Sequence, residues 1–163
     1  TEQRFAEATL LFLVTKDTTV IGYAFNDLLT LAGKQVNYFG SGFIIPEAQG
    51  RGLYHELNRQ RVLGLPANVI MTRTQNPVVV SGFGKICDEL GYHLSPLKGI
   101  TDTALAMARE YYPACSDALT CNQVYGRELM NRTPSAQGVV AQVLRNLNLQ
   151  RGDAQILIGE KLF

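Results

Sequence analysis

The stretch FIIPEAQGRGLYHELNRQRVL, residues 43–63, decides how the chain folds. Phe43, Ile44 and Ile45 read as the end of a strand, and Pro46 stops it because proline has no amide hydrogen to offer a neighbour. Residues 47–52 (EAQGRG) then turn the chain into a helix expected over 51–63. Leu53, Tyr54, Leu57 and Arg61 share one side of that helix, with the aliphatic stem of Arg61 covering apolar surface. Gly64 and Pro66 end it. Such a junction aims several unpaired backbone amides into one loop, where they and the positive end of the helix favour a phosphate. Gly50 and Gly52 let the main chain approach a ligand closely, and Arg51 adds a positive charge. An ordinary polar turn uses the same residue types, so spacing alone leaves both readings open.

Working upstream, residues 36–45 (VNYFGSGFII) form a strand in which Gly40 and Gly42 mark a bulge or a close approach. Before it, residues 9–14 (TLLFLV) and 19–25 (TVIGYAF) read as an antiparallel hairpin. Downstream, residues 69–72 (VIMT) supply the next strand. Asn76 followed by Pro77 reads as a helix N-cap, with Val79, Phe83, Ile86 and Leu90 on one face and Gly91 as the C-cap. A short strand is expected at 92–94. Helical patterns follow at 102–111, 122–130 and 135–147, and residues 154–160 (AQILIGE) close the chain as a strand. The expected fold class is α/β (α+β): a mixed, mostly antiparallel sheet flanked by helices, with a helical C-terminal insertion before the last strand. No repeat or linker divides the 163 residues, so one domain is expected.

Composition sets the outer limits. With 46% hydrophobic residues the chain can bury a sizeable core, and a net charge of +1 argues against a broad nucleic-acid face. No apolar run approaches the length of a membrane span, and no charged-then-apolar leader opens the sequence. Three cysteines without a CxxC pair suit a reducing compartment, so cytoplasm is expected. His55 and His93 are the only histidines and no metal-binding motif is present, so no metal is expected. Neither a GxGxxG fingerprint nor a GxxxxGK[ST] loop opens a helix, which sets nucleotide enzymes aside.

The order of elements around residues 9–94, densest at 36–63, resembles the GNAT superfamily of acyl-CoA-dependent N-acetyltransferases. The family's acyl-CoA motif, Arg or Gln, two residues, Gly, one residue, Gly or Ala, falls on Gln49, Gly52 and position 54. The resemblance implies acetyl-CoA or another acyl-CoA as co-substrate and a small-molecule or peptide amine as acceptor. It implies a diphosphate on the amides of Gln49, Gly50, Arg51, Gly52, Leu53 and Tyr54. The pantetheine arm would pair with Phe43, Ile44 and Ile45, where an amide would stabilise the oxyanion, and Asn76 would touch the same arm beside its capping role. The chain departs from the family in three ways. Position 54 is a tyrosine where a small residue is usual, so its ring either turns into the core or crowds the phosphates. The family's tyrosine acid falls on Phe83 or Cys87. The first strand and two helices that form much of the acceptor pocket are reduced to at most residues 1–7.

Candidate bases are Glu47, Asp27, His55 and Tyr38, and Cys87 is the candidate acid, each with an ordinary structural role as its alternative. Residues 97–150 fit the family poorly. Tyr111, Tyr112 and Tyr125 read there as core, in an insertion that either covers the acceptor pocket or forms a homodimer contact. Two functions stay open: an N-acyltransferase, or a catalytically inactive module of the same fold acting through acyl-CoA binding or protein contact.

Overall fold

The computed structural model describes residues 8–130 and 134–162; the remnant expected at 1–7 lies outside them. The chain opens as an antiparallel meander of β1 (Leu10–Lys16), β2 (Thr19–Leu31) and β3 (Lys34–Ile44). β2 runs six residues beyond the expected hairpin, through Asn26 and Asp27, which rarely favour strands. Its far end is set by a two-residue turn in which Ala32 and Gly33 both take positive φ, +48° and +70°, the geometry that suits a hairpin's twist.

A short 3-10 turn (Pro46–Ala48) leads to α1 (Leu53–Gly64), and then follow β4 (Val69–Thr74), α2 (Pro77–Leu90) and β5 (His93–Ser95). α2 starts as the sequence predicts: Asn76 Oδ1 accepts from the Val78 amide at 2.9 Å, and Gly91 closes the helix at φ +74°. The insertion holds α3 (Asp102–Tyr111), the two-residue strand β6 (Thr120–Cys121) and α4 (Gly138–Leu144), and β7 (Ala154–Glu160) ends the sheet. The helix expected at 122–130 is a run of turns and bends, and the one at 135–147 shrinks to the seven residues of α4.

The sheet runs β1-β2-β3-β4-β7-β5, with β6 also on β7; β3–β4 is its parallel pair and the other neighbours are antiparallel. β7 is buried along its whole length. Alternation along β4 assigns its faces. Ile70 packs with Leu157, Phe83 and Ile86 beneath α2, while Val69 and Met71 pack with Met107 and Ala108 of α3 on the other face. α1 and α2 therefore cover one side and α3 the other. No helix among the described residues is long and apolar enough to cross a membrane.

Candidate active site

The site exists because two neighbouring strands part. β3 and β4 pair only where residues 36–38 meet residues 69–71, although both strands continue. β3 bends away at a bulge: Ala24 lies opposite Gly42 and Asn26 opposite Phe39, so Gly40 and Ser41 share the place facing Phe25. A Cβ on Gly40 would stand 2.5 Å from the Phe25 ring, which is why the bulge carries glycine. Past the last paired rung the Thr72 hydroxyl donates to the Phe39 carbonyl at 3.0 Å, and beyond it opens a cavity of about 520 Å³.

Arg61 holds the bulge in place. Its guanidinium, 2% exposed, donates from Nε to Asn26 Oδ1 at 2.7 Å and from Nη1 to Asn58 Oδ1 at 3.3 Å. Nη2 reaches the Phe25 and Gly40 carbonyls, both at 3.0 Å, so one group ties β2 to the bulged turn of β3. Asn26 in turn donates to Asn37 Oδ1, and Asn37 donates to the Arg61 and Leu65 carbonyls at 2.9 and 2.7 Å. The cation lies 4.1 Å from the centre of the Phe39 ring, and no carboxylate pairs with it among the described residues. Burial lowers its pKa to about 10, against the opposing influence of Tyr54 and Tyr38, so it remains charged at neutral pH. The sequence suggested a stem lying over apolar surface; the structure corrects this to a charge buried whole, made tolerable by carbonyl and amide acceptors.

On the helical face a groove of about 650 Å³ continues from the cavity. Phe43, Ile44, Gln49, Gly50, Gly52, Leu53, Tyr54 and Asn76 line it. Two expected contacts do not. Ile45 spends its amide on the Ile21 carbonyl at 2.9 Å and packs into the core beneath α1, and Arg51 projects into solvent. Lys85 of α2, which the sequence gave no reason to single out, lines the groove as its one cation among the described residues. Gly50 and Gly52 take φ of +75° and +76°, a left-handed turn that brings the main chain to the start of α1. The first helical bond runs from the Glu56 amide to the Gly52 carbonyl at 3.1 Å, leaving the amides of Leu53, Tyr54 and His55 ahead of it without helical partners. Gln49 Nε2 donates to the Ile44 carbonyl at 2.8 Å, bracing the loop against β3.

Tyr54 stands where groove and cavity meet. Its ring neither sinks into the core nor faces only the loop. It lies between Gly42 and Gly82, where a Cβ would come 3.8 and 3.4 Å from its Cε2 and Cε1. α2 presents Val79 and Phe83 to the cavity, neither with a proton to give. Cys87 does not reach it. Its sulfur sits so close to β7 that a Cβ on Gly159 would be 2.9 Å away, and burial pushes the thiol up to about 12. His55 is engaged with Glu89 at 2.9 Å, a carboxylate it shares with Arg59, and Glu47 lies exposed in the 3-10 turn.

On the opposite face the cavity is walled by Tyr38 of β3, Arg73 of β4, Tyr111 at the end of α3 and Tyr125 from the irregular segment. The rings of Tyr38 and Tyr111 lie 5.3 Å apart. The Arg73 guanidinium faces Tyr111 at 5.8 Å and Tyr125 at 5.4 Å, and the Tyr125 hydroxyl donates to the Arg73 carbonyl at 3.2 Å. Burial and the neighbouring Tyr111 hold the Tyr38 phenol far above its ordinary pKa. Asp27 lies directly opposite Tyr38 in the β2–β3 ladder, hence on the same face. Tyr111 packs against the core as expected, and with Tyr125 it also walls the cavity. The signal for this wall was Arg73 itself, a charge near the end of a strand that is otherwise buried. Among the described residues no group of three or more His, Cys, Asp or Glu could hold a metal.

No protein-family model matches the sequence, and no curated protein is significantly similar to it. Solved structures are similar in fold. The ribosomal-protein-S18-alanine N-acetyltransferase from Escherichia coli aligns over 100% of this chain and 79% of its own, at 13% identity and a TM-score of 0.55. A putative phosphinothricin N-acetyltransferase aligns over 99% and 79%, at 12% identity and a TM-score of 0.55. The diaminobutyrate acetyltransferase EctA from Paenibacillus lautus, solved with its substrate and coenzyme A, aligns over 94% and 70%, at 8% identity and a TM-score of 0.51. With its bulged strand, loop and helix in the order the sequence predicts, the chain has the fold of the GNAT-family acetyltransferases.

Proposed function

We propose that the chain is an acyl-CoA-dependent N-acyltransferase, moving acetyl or a related acyl group onto an amine. One observation carries the reading: where β3 parts from β4 a cavity runs between them, from the groove beside the start of α1 to the tyrosine wall on the α3 face of the sheet. Acyl-CoA supplies a thioester carbon activated towards attack by an amine. In this reading the amides of residues 50–54 and Lys85 hold the diphosphate, and the free edge of β3 at Phe43 and Ile44 takes the pantetheine arm. A main-chain amide of the bulge donates to the carbonyl oxygen as negative charge builds there, and the Arg61 cation beneath it favours that charge.

Proton traffic then falls to Tyr54 at one end of the cavity and to a group beside Tyr38 at the other, reached through water. Tyr54, at the junction, gives its phenol proton to the departing thiolate, a role α2 cannot fill with Val79 and Phe83. Of the candidate bases, Asp27 and Tyr38 share the acceptor face; burial keeps Tyr38 protonated, which leaves Asp27, through a water, to take the proton of the amine. The cytoplasm is the proposed compartment, in keeping with three free thiols, Cys87, Cys115 and Cys121.

The position of Tyr54 also favours a second reading, in which its ring plugs the passage that the arm needs and the chain is a non-catalytic module. Titrating the protein with acetyl-CoA by calorimetry, and following free thiol with a panel of amines, separates the two. An acid at position 54 predicts that Tyr54→Phe keeps acetyl-CoA affinity and loses turnover by about 100-fold. A plug predicts that Tyr54→Ala binds acetyl-CoA more tightly than the wild type and that neither protein releases thiol.

A further inference from the structure

The cavity is lined by two guanidiniums, four phenols and no Asp, Glu or His among the described residues. The two cations differ in kind. Arg61 spends Nε, Nη1 and Nη2 on the framework. Among the described residues Arg73 donates to no backbone carbonyl and pairs with no carboxylate; phenols surround it, with Tyr111 and Tyr125 presenting ring faces to it and Tyr125 also in hydrogen-bond contact. A half-buried cation at the wall of a cavity, partnered only by phenols among the described residues, is matched by an anion, and a planar guanidinium has donors enough to keep its Tyr125 contact and still meet a carboxylate. A dicationic acceptor would meet the Arg73 charge at that wall, with no carboxylate lining the cavity among the described residues to offset it.

The wall that carries Arg73 is fastened rather than loose. Gln75 accepts from the Leu129 amide at 3.0 Å, and the Tyr125 amide donates to the Gly152 carbonyl at 3.0 Å. Tyr125 and Leu129 thus bound a chamber of about 520 Å³, which fits a small molecule.

We propose that Arg73 is the binding site for a substrate carboxylate, so that the transferase proposed above acts on small carboxylate-bearing reactants, in the first place an amine of the amino-acid kind. The inference rests on the acyltransferase reading for its chemistry. The carboxylate has two chemical sources, the acceptor amine or the far end of a dicarboxylic acyl group. Arg73 lies on the α3 face of β4, across the sheet from the groove, which favours the acceptor.

The test is calorimetric binding, in the presence of coenzyme A, of the common amino acids, each against its own carboxamide, and of 1,4-diaminobutane. It uses wild type, Arg73→Gln and Arg73→Lys, with succinyl-CoA against acetyl-CoA as a separate arm. We expect at least one amino acid to bind about tenfold or more tightly than its amide, Arg73→Gln to erase that preference, and Arg73→Lys to restore part of it. A preference that appears only for succinyl-CoA over acetyl-CoA, and is lost in Arg73→Gln, keeps the carboxylate site and moves its source to the donor. The inference is overturned if no acid or succinyl preference exists, if Arg73→Gln keeps it, or if the diamine binds best. A preference for acids that persists without any thiol release from acetyl-CoA would sink the enzyme reading and leave the Arg73 site standing.

Discussion

At the residue scale the most consequential group is Arg61. Truncation would strand the Phe25 and Gly40 carbonyls and the Asn26 amide oxygen in a dry interior, and would leave a hole beside Phe39. We expect Arg61→Ala to lose about 3 kcal/mol or more of stability, read as a lower denaturation midpoint in guanidinium. Arg61→Lys should lie between it and the wild type, because one ammonium on a flexible stem cannot span the carbonyls of both strands. None of this was legible in the sequence. An arginine four residues after an apolar leucine looks like any half-exposed helical position, and only the meeting of Asn26 of β2 and Asn37 of β3 with Asn58 one turn back in the same helix makes it a buried node.

At the scale of elements, what could be read was whatever local chemistry decides. Asn76-Pro77 and Gly91 fixed the ends of α2 because capping and a left-handed C-cap are short-range effects, and the short apolar run within residues 154–160 marked β7. The misreadings share a cause. Asn26 stays in β2 because Asn37 and Arg61 satisfy its amide, and Asp27 is carried along in the ladder opposite Tyr38. Residues 122–130 forgo a helix because their polar groups are claimed elsewhere: the Gln123 amide by Asp153 and the Leu129 amide by Gln75. The candidate site was legible on its loop side and not on its acceptor side, where β3, β4, α3 and the 120s converge from far apart in the chain. The bulge was legible from Gly40, and it gives a test. Gly40→Ala pushes a methyl group into the Phe25 ring, so we expect about 1–3 kcal/mol of destabilisation in chemical denaturation, with larger side chains worse.

For the whole molecule, Asp153 pins the insertion to the sheet. The carboxylate accepts from the Gln123 and Asn148 amides, both at 3.0 Å, and from Arg151 at 2.8 and 2.6 Å. The Arg151 hydrogen bonds first, and then the amides, hold its pKa down to about 2. A carboxylate whose folded value is depressed stabilises the protein fully above its unfolded value near 4 and loses that contribution as pH falls towards 2. We therefore expect stability to decline over that acid window. Asp153→Asn should be less stable at neutral pH and show a shallower decline, measured by thermal melts from pH 5 to pH 2.

The three-rung ladder between β3 and β4 has a mechanical meaning as well. Among the described residues it is the sole ladder that joins the meander of β1, β2 and β3 to the block of β4, β7 and β5. Under tension this is where the molecule unzips, and anything lodged in the wedge acts as a keystone, so that occupancy and resistance to shearing rise together.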